Sequence, residues 1–274
     1  MKISLFYIDA FTSEVFKGNT AAVCLLDSWL PDAVLQSIAA EHNLAETAFV
    51  VKDDKEIFQL KWFTPKIEVD LCGHATLAAA HVLFSIYSFN HKTLQFRTKS
   101  GLLTVKQADN GLITLDFPAF TLEPFKPKPL LTEALGKPFI KVYKSRDLLV
   151  VYNDEKEIID LSPDFAKLKT LDCLGIIVTA PGSDSDYVLR FFAPAAGINE
   201  DPVTGSAQSS LVPYWSKRLK KNLLVARQLS ERSGEMWCKQ AGDRVQISGN
   251  AITYMQGTIN ISIKPQSTLI PFNY

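Results

Sequence analysis

The chain has 274 residues, enough for one large domain or two of ordinary size, and 47% of them are hydrophobic, which predicts a globular protein with a substantial core. Lysine plus arginine and aspartate plus glutamate both number 29, so the formal net charge is zero. This balance provides no basic excess for binding nucleic acid or an anionic membrane, and it favours a small-molecule or protein partner.

No export signal or membrane span is visible in the sequence. The apolar start, Met1 to Phe11, is interrupted by Asp9 before it reaches the length of a signal sequence. The most apolar long stretch, Leu71 to Tyr87, carries two histidines and is shorter than the roughly 20 residues of a spanning helix. The four cysteines include no close pair, which indicates reduced thiols and no zinc site. We therefore expect a cytoplasmic protein that does not bind membranes.

The first predicted elements are a strand, a helix and a second strand. Lys2–Ala10 and Ala48–Lys52 are rich in β-branched and aromatic residues, as is typical of strands. Between them the periodicity predicts a helix from about Pro31 to His42, with the proline in its first turn. Asn43 follows the helix and is a residue type that adopts the left-handed conformation at a helix end.

Farther along the chain, two segments repeat at matched spacing. Phe63–Pro65 leads through an aspartate to Gly73 and an alanine-rich helix, and Phe192–Pro194 leads through an aspartate to Gly205 and a second helix. The two helix-start glycines lie 132 positions apart. A second pair of glycines, each preceded by a basic residue and a serine, lies 133 positions apart and opens two alternating runs. Two repeats at nearly the same offset predict a duplicated chain. The second pair is Gly101 and Gly234.

Prolines mark the boundary between the two halves. Residues 118–128 contain three prolines and are followed by Pro129, a density that interrupts regular structure. The predicted organisation is an N-terminal half at 1–117, a linker at 118–128 and a C-terminal half at 129–274, with the extreme C-terminus free to pack back on the N-terminal half. Short strands around one helix in each half predict an α+β fold. Its two pseudo-symmetric halves would each be a curved, mostly antiparallel sheet wrapped around a central helix.

The two glycine turns are candidates for an anion-binding site. A helix start presents free N–H groups and the positive end of the helix dipole, so two such starts facing one cleft would hold a substrate carboxylate. Taken singly, each motif is also an ordinary turn before a helix cap. The duplication favours the functional interpretation.

Three polar residues are candidates for catalysis. Glu46 lies among small and apolar residues, a setting that would raise its carboxyl pKa toward the value that a general acid/base requires. His74 follows Gly73 at a predicted helix start, where the dipole would favour the neutral imidazole. Asp201 precedes the second helix and could orient an amine or hydroxyl of a ligand. Each residue also fits a structural role, as a surface glutamate, a capping histidine or a turn aspartate.

Cys72 indicates a second possible chemistry, because a thiol beside a helix start can have a lowered pKa and act as a base. The equivalent position in the second half is Thr204, so a racemase with two thiol bases is not supported. The sequence contains no glycine-rich dinucleotide or nucleotide motif and no zinc-hydrolase motif. We therefore expect neither a cofactor nor a metal.

Four blocks of sequence, in this order, resemble the PhzF-like (phenazine biosynthesis) family. They are Gly18–Val23, Asn43–Phe49, Leu71–Thr76 and Glu200–Ala207. The resemblance implies the diaminopimelate-epimerase-like fold, with one active site between two halves and usually a homodimer. It also implies an isomerase that uses no metal or organic cofactor.

The resemblance further implies roles for single residues. The glutamate matching Glu46 would move a proton between two carbons of a cyclic, amino-acid-like substrate. Two departures from the family pattern are visible: Thr20 replaces a proline, and Gln208 replaces a histidine found in many relatives. We expect the first to change the hydrogen bonds of its loop and the second to alter the substrate pocket. The predicted site comprises Glu46, His74 and Asp201 as catalytic residues and Asn19, Gly73, Gly205 and Ser206 as substrate-binding residues.

The sequence thus predicts a cofactor-independent isomerase that shifts a proton on a small carboxylate-bearing substrate. Two alternatives remain at this stage: a thiol-based racemase or epimerase that uses Cys72, and a non-catalytic binding or regulatory protein with the same fold. The presence of Glu46 weighs against the second alternative, since a non-catalytic descendant would be free to lose that carboxylate.

Overall fold

A computed structural model describes residues 1–53, 57–86 and 91–262 of the chain. The strands are β1 Lys2–Ala10, β2 Asn19–Leu26, β3 Glu46–Lys52, β4 Phe58–Phe63, β5 Glu68–Val69, β6 Thr93–Thr98, β7 Gly101–Gln107, β8 Ile113–Pro118, β9 Glu123–Pro124, β10 Lys141–Lys144, β11 Leu148–Val151, β12 Ile176–Pro181, β13 Tyr187–Ala193, β14 Ile198–Asp201, β15 Leu223–Gln228, β16 Gly234–Ala241, β17 Arg244–Gly249 and β18 Ala251–Asn260. The α-helices are α1 Asp32–His42, α2 Gly73–His81, α3 Pro129–Leu135, α4 Glu155–Ile159, α5 Phe165–Leu168 and α6 Gln208–Leu219. A π-helical segment at Val82–Ile86 extends α2, and single 3-10 turns occur at Pro194–Ala196 and Gly205–Ala207.

The first predicted elements are confirmed, with small shifts at two boundaries. β1 has the predicted limits, and Asn43 ends α1 with φ of 50° while its N–H donates to the Ala39 carbonyl. Pro31 has an extended ψ of 139°, so it precedes the helix instead of forming its first turn. β3 begins at Glu46, two residues earlier than predicted, because its ladder with β2 already starts there.

The same order of strand pairings occurs twice along the chain. In the first half β2 and β3 are parallel, β3 and β4 antiparallel, and β4 then pairs with both β5 and β6 before the β6–β7 and β7–β8 hairpins. The strands from β11 to β17 repeat this order pairing for pairing. The repeated topology agrees with the duplication that the glycine spacings predict.

Two antiparallel ladders connect the halves. β8 pairs with β17 over six residue positions, and β1 pairs with β18 so that Lys2 lies opposite Asn260. A strand close to the C-terminus therefore belongs to the N-terminal sheet, while residues 263–274 of the predicted C-terminal half lie outside the described residues. The boundaries at 117 and 128 remain a prediction; β8 ends at Pro118 and α3 begins at Pro129.

The central helices bring the two halves into contact. α2 is buried along its whole length except at His81, as expected for a helix that is apolar on all sides, and α6 buries the face that carries Trp215. A Cβ built on Gly73 would lie 3.6 Å from the Cα of Gly205, so the starts of the two helical segments touch. None of the described helices is long and apolar enough to cross a membrane.

Candidate active site

A cavity of about 180 Å³ lies where the two helix starts meet. Residues of both halves line it, including six of the seven predicted site residues. A larger groove of about 890 Å³ runs beside α6 on the outer surface, but it contains none of these residues, so the smaller cavity is the candidate site. The predicted residues at the cavity are Glu46, Gly73, His74, Asp201, Gly205 and Ser206.

Glu46 and His74 form a close pair at the wall of this cavity. Glu46 is the first residue of β3 and His74 the second residue of α2. Their Oε2 and Nε2 atoms are 3.2 Å apart, and the side chains are only 14% and 7% exposed. Nε2 has no aligned hydrogen-bond partner within the described part of the chain. The pair is therefore held by charge attraction more than by a formed hydrogen bond.

The pKa values of this pair shift in the directions opposite to those predicted. Burial by itself raises the pKa of Glu46, but the charge of His74, with smaller contributions from the close polar atoms of His74 and Cys72, lowers it to below its usual value. Burial by itself lowers the pKa of His74, but Cys72 and Glu46 raise it well above its usual value. The predictions of a raised carboxyl pKa and a neutral imidazole are thus wrong, because Glu46 and His74 contact each other across the fold and the neighbouring Cys72 adds to the shift of His74. At neutral pH the site holds a carboxylate beside an imidazolium.

Asp201, the last residue of β14, reaches the cavity from the other half. Its Oδ1 accepts a hydrogen bond from Asn19 Nδ2 at 2.8 Å, and its Oδ2 accepts one from Thr204 Oγ1 at 2.5 Å. Burial, with a contribution from Glu46, raises the pKa of Asp201 to about 6. The site therefore combines an ionised carboxylate with a carboxyl group that carries a proton for part of the time near neutral pH, a combination suited to acid/base chemistry.

Asn19 is the one predicted site residue that does not line the cavity. The residue is 1% exposed, and its side-chain amide donates hydrogen bonds to Asp201 and to a backbone carbonyl of the other half. Asn19 therefore holds Asp201 in place across the junction between the halves. A direct contact of Asn19 with a substrate remains a prediction.

Cys72 completes a group of three potential metal ligands. Its Sγ lies 3.6 Å from His74 Nδ1, and ligand atoms of Glu46, Cys72 and His74 all lie within 4.8 Å of one another. Zinc accepts these ligand types. Burial and the Glu46 charge raise the pKa of the Cys72 thiol, and His74 is protonated, so a metal would have to displace two protons. The raised pKa also weighs against Cys72 as a thiolate base.

The Thr20 departure belongs to a network that links the halves. Thr20 Oγ1 donates to the buried carboxylate of Asp9 and accepts from Arg232 Nη2 at 3.0 Å. Arg232, from the C-terminal half, also donates to Asp9 Oδ1 and to the carbonyls of Lys17 and Gly18. A proline at position 20 could make none of the hydroxyl bonds. The network fixes the turn immediately before β2. These hydroxyl bonds agree with the prediction that Thr20 changes the hydrogen bonds of this loop.

The Gln208 departure lies outside the lining of the cavity. Gln208 is fully buried and its Oε1 accepts a hydrogen bond from the Tyr187 hydroxyl at 2.6 Å. The expectation that Gln208 alters the substrate pocket stays a prediction, and any such effect would act through the packing of the C-terminal half.

Sequence reasoning missed an apolar wall and an arginine. Leu174 and Phe191 line the cavity, and Arg146 Nη2 donates to Ser206 Oγ at 3.1 Å. The sequence held a weak indication of Phe191 and of Arg146. Phe191 directly precedes the repeated Phe192–Pro194 segment, and Arg146 lies just before β11, the strand that is topologically equivalent to β2.

Comparisons with known proteins agree with the predicted resemblance. The family model described as phenazine biosynthesis-like protein matches residues 8–257. A Pseudomonas aeruginosa protein named as an uncharacterized isomerase is 51% identical over 261 residues, which cover 95% of this chain and 100% of that protein. A crystal structure of a PhzF-family phenazine biosynthesis protein from Enterococcus faecalis matches with a TM-score of 0.93 and 46% identity, covering 95% and 100% of the two chains.

A more distant structure supports the fold class. The hydroxyproline epimerase of Agrobacterium vitis matches with a TM-score of 0.61 over 94% of this chain and 92% of its own, although only 10% of the residues are identical. This similarity confirms the predicted epimerase-like α+β fold. The chain belongs to the phenazine biosynthesis-like (PhzF) family and is an isomerase.

Proposed function

We propose that the protein is a cofactor-independent isomerase that moves a proton on a small, carboxylate-bearing, amino-acid-like substrate, with Glu46 as the base. The observation that carries this proposal is the 3.2 Å contact between Glu46 and His74 at the cavity wall. A general base must be unprotonated and within reach of the substrate. His74 lowers the pKa of Glu46 and thereby keeps the carboxylate ionised at neutral pH.

One carboxylate is sufficient for both proton transfers of the proposed reaction. Glu46 takes a proton from one carbon of the substrate, becomes a neutral acid, and returns that proton to another carbon of the same molecule. The composition of the substrate is unchanged, so no oxidant or second substrate is needed. The His74 imidazolium stabilises the negative charge that develops on the substrate between the two transfers.

The remaining residues bind the substrate in this proposal. The contacting helix starts at Gly73 and Gly205 present N–H groups and the positive ends of two helix dipoles, an environment that favours a carboxylate. Asp201 orients an amine or hydroxyl of the substrate, in a position held by Asn19. The homodimer that the family resemblance implies is also part of the proposal, and light scattering coupled to gel filtration tests it.

Glu46→Gln is the direct test of this proposal. Wild-type protein in D₂O is screened for deuterium incorporation into a panel of cyclic and acyclic amino carboxylates by mass spectrometry. Loss of the base should reduce incorporation by about 10²-fold or more for the compound that exchanges fastest. Glu41→Gln removes one carboxylate from the exposed face of α1 and serves as the matched control. Undiminished exchange by a folded Glu46→Gln protein would exclude Glu46 as the base.

A thiol-based racemase or epimerase is the second candidate, because Cys72 also lines the cavity and its Sγ approaches His74 Nδ1. It is less favoured because burial raises the pKa of the thiol. A non-catalytic binding protein is favoured by no observation, since Glu46, His74 and Asp201 converge on one cavity.

A further inference from the structure

Arg146 lies beside the candidate active site and is held in place by its own neighbour. It occupies the turn between β10 and β11, where its Nε and Nη2 donate to Asp147 Oδ2 at 3.0 and 2.7 Å. The Asp147 side chain is only 2% exposed, and the Phe120 ring lies 6.0 Å from the guanidinium carbon. These contacts fix the Arg146 guanidinium at the position from which Nη2 also donates to Ser206 Oγ.

The direction of the Arg146–Ser206 hydrogen bond determines what the serine can do. Arginine has donors and no acceptor, so Ser206 Oγ is the acceptor in this bond. A serine hydroxyl has a single proton, which is consequently left for another acceptor. Because Ser206 lines the cavity, a bound ligand can provide that acceptor. The positive charge of Arg146 strengthens the hydroxyl as a donor and favours an anionic acceptor.

We propose that Arg146 is a positioning residue that holds Ser206 as a hydrogen-bond donor to the substrate carboxylate, so that the site selects carboxylates over their neutral amides. The proposal rests on the proposed function for the class of substrate. Arg146 acts through Ser206 and not by its own contact with the ligand. The serine hydroxyl and the helix start at Gly205 then act on the same carboxylate.

Benzoate and benzamide are suitable probes, because they share one planar shape and differ in charge. Affinity is measured by isothermal titration calorimetry, supported by ligand-observed NMR. Wild-type protein should bind benzoate more tightly than benzamide. Arg146→Met should raise the benzoate Kd about tenfold, the effect typical of a lost hydrogen bond to a charged group, and should change the benzamide Kd by less than about twofold. Lys144→Met removes the same charge from the same β10–β11 hairpin and should change neither Kd.

The Ser206→Ala background tests whether Arg146 acts through the serine. There, Arg146→Met should change the benzoate Kd by less than about twofold, because the coupled partner is already absent. Arg146→Met alone leaves the Asp147 carboxylate buried without its cation, which is destabilising. Arg146→Met combined with Asp147→Asn removes both charges and provides a second variant with the same expected loss of benzoate affinity.

Two results would overturn the proposal: wild-type protein that does not prefer benzoate to benzamide, and a tenfold effect of Arg146→Met that persists in Ser206→Ala. Failure of the proposed function is visible in a different measurement. Glu46→Gln should lose deuterium exchange while still binding benzoate more tightly than benzamide, so an error about the base and an error about Arg146 are separable.

Discussion

Asp201→Asn should stabilise the folded protein at neutral pH while it impairs isomerase activity. Its enclosed position raises the pKa of Asp201 from 3.8 to about 6, so ionisation costs more free energy in the folded than in the unfolded chain. Asparagine has the same shape, carries no charge, and can still accept the hydrogen bond from Asn19 through its side-chain oxygen. Proteins commonly sacrifice stability at such functional positions.

The pH dependence follows from the direction of the shift. A group whose pKa is higher in the folded state contributes stability at low pH that is lost as the pH rises through the folded-state value. A rise from 3.8 to about 6 corresponds to about 3 kcal/mol over the whole transition, of which about 2 kcal/mol falls between pH 4.5 and pH 8. This is an upper limit, because Asp201 is enclosed by protein atoms yet partly accessible from the cavity.

Urea unfolding of wild type and Asp201→Asn from pH 4.5 to pH 8 measures this effect. The difference in the free energy of unfolding should move by about 1–2 kcal/mol in favour of the variant as the pH rises. Only the change of this difference with pH is compared, so a pH-independent free-energy cost of altered hydrogen bonds in the variant cancels. Asp109→Asn makes the same change in a fully exposed turn and is the control. A flat difference for Asp201→Asn would refute the assignment of a raised pKa to burial of this carboxyl group.

Two further substitutions test the base and the link between the halves. Cys72→Ala should keep deuterium exchange within about threefold of wild type, because Glu46 is the proposed base; a loss of about 10²-fold or more would favour the thiol mechanism. Thr20→Val should lower the free energy of unfolding in urea by about 1–3 kcal/mol, because it leaves the buried Asp9 carboxylate with one donor fewer. Thr20→Ser restores the hydroxyl and should recover most of that loss, whereas equal stability of all three proteins would show that the hydroxyl is dispensable.

Features with local physical causes could be predicted from the sequence. The end of α1 is one example, because a left-handed Asn43 needs only the residue itself and the preceding helical turn. The duplication could be predicted for a different reason, since two nearly equal glycine spacings along the chain reflect the same strand order in both halves. Register at the start of β3 depended on its partner strand, and the prediction there missed two residues.

The electrostatics of the site could not be predicted in the same way. The residues adjacent to Glu46 in sequence are small and apolar, which predicts a raised pKa. In the folded protein the nearest charged group is His74, which is 28 positions away along the chain and 3.2 Å away in space. A pKa depends on such contacts across the fold, and sequence spacing does not report them. Arg146 was missed for the same reason, since its contact with Ser206 spans 60 positions.

The duplicated scaffold has different chemistry in its two halves, and this difference bears on mechanism. Glu46 begins β3, whereas the residue matched to it by strand register, Gly175, lies immediately before the equivalent strand β12. On a duplicated scaffold, a mechanism with one base on each face of the substrate is most simply built from proton acceptors at matched positions of the two halves. The matched positions instead hold a carboxylate against a glycine, a thiol against a hydroxyl, and an imidazole against a hydroxyl, which agrees with the proposed single base that moves one proton between two carbons. The three pairs are Glu46 and Gly175, Cys72 and Thr204, and His74 and Ser206.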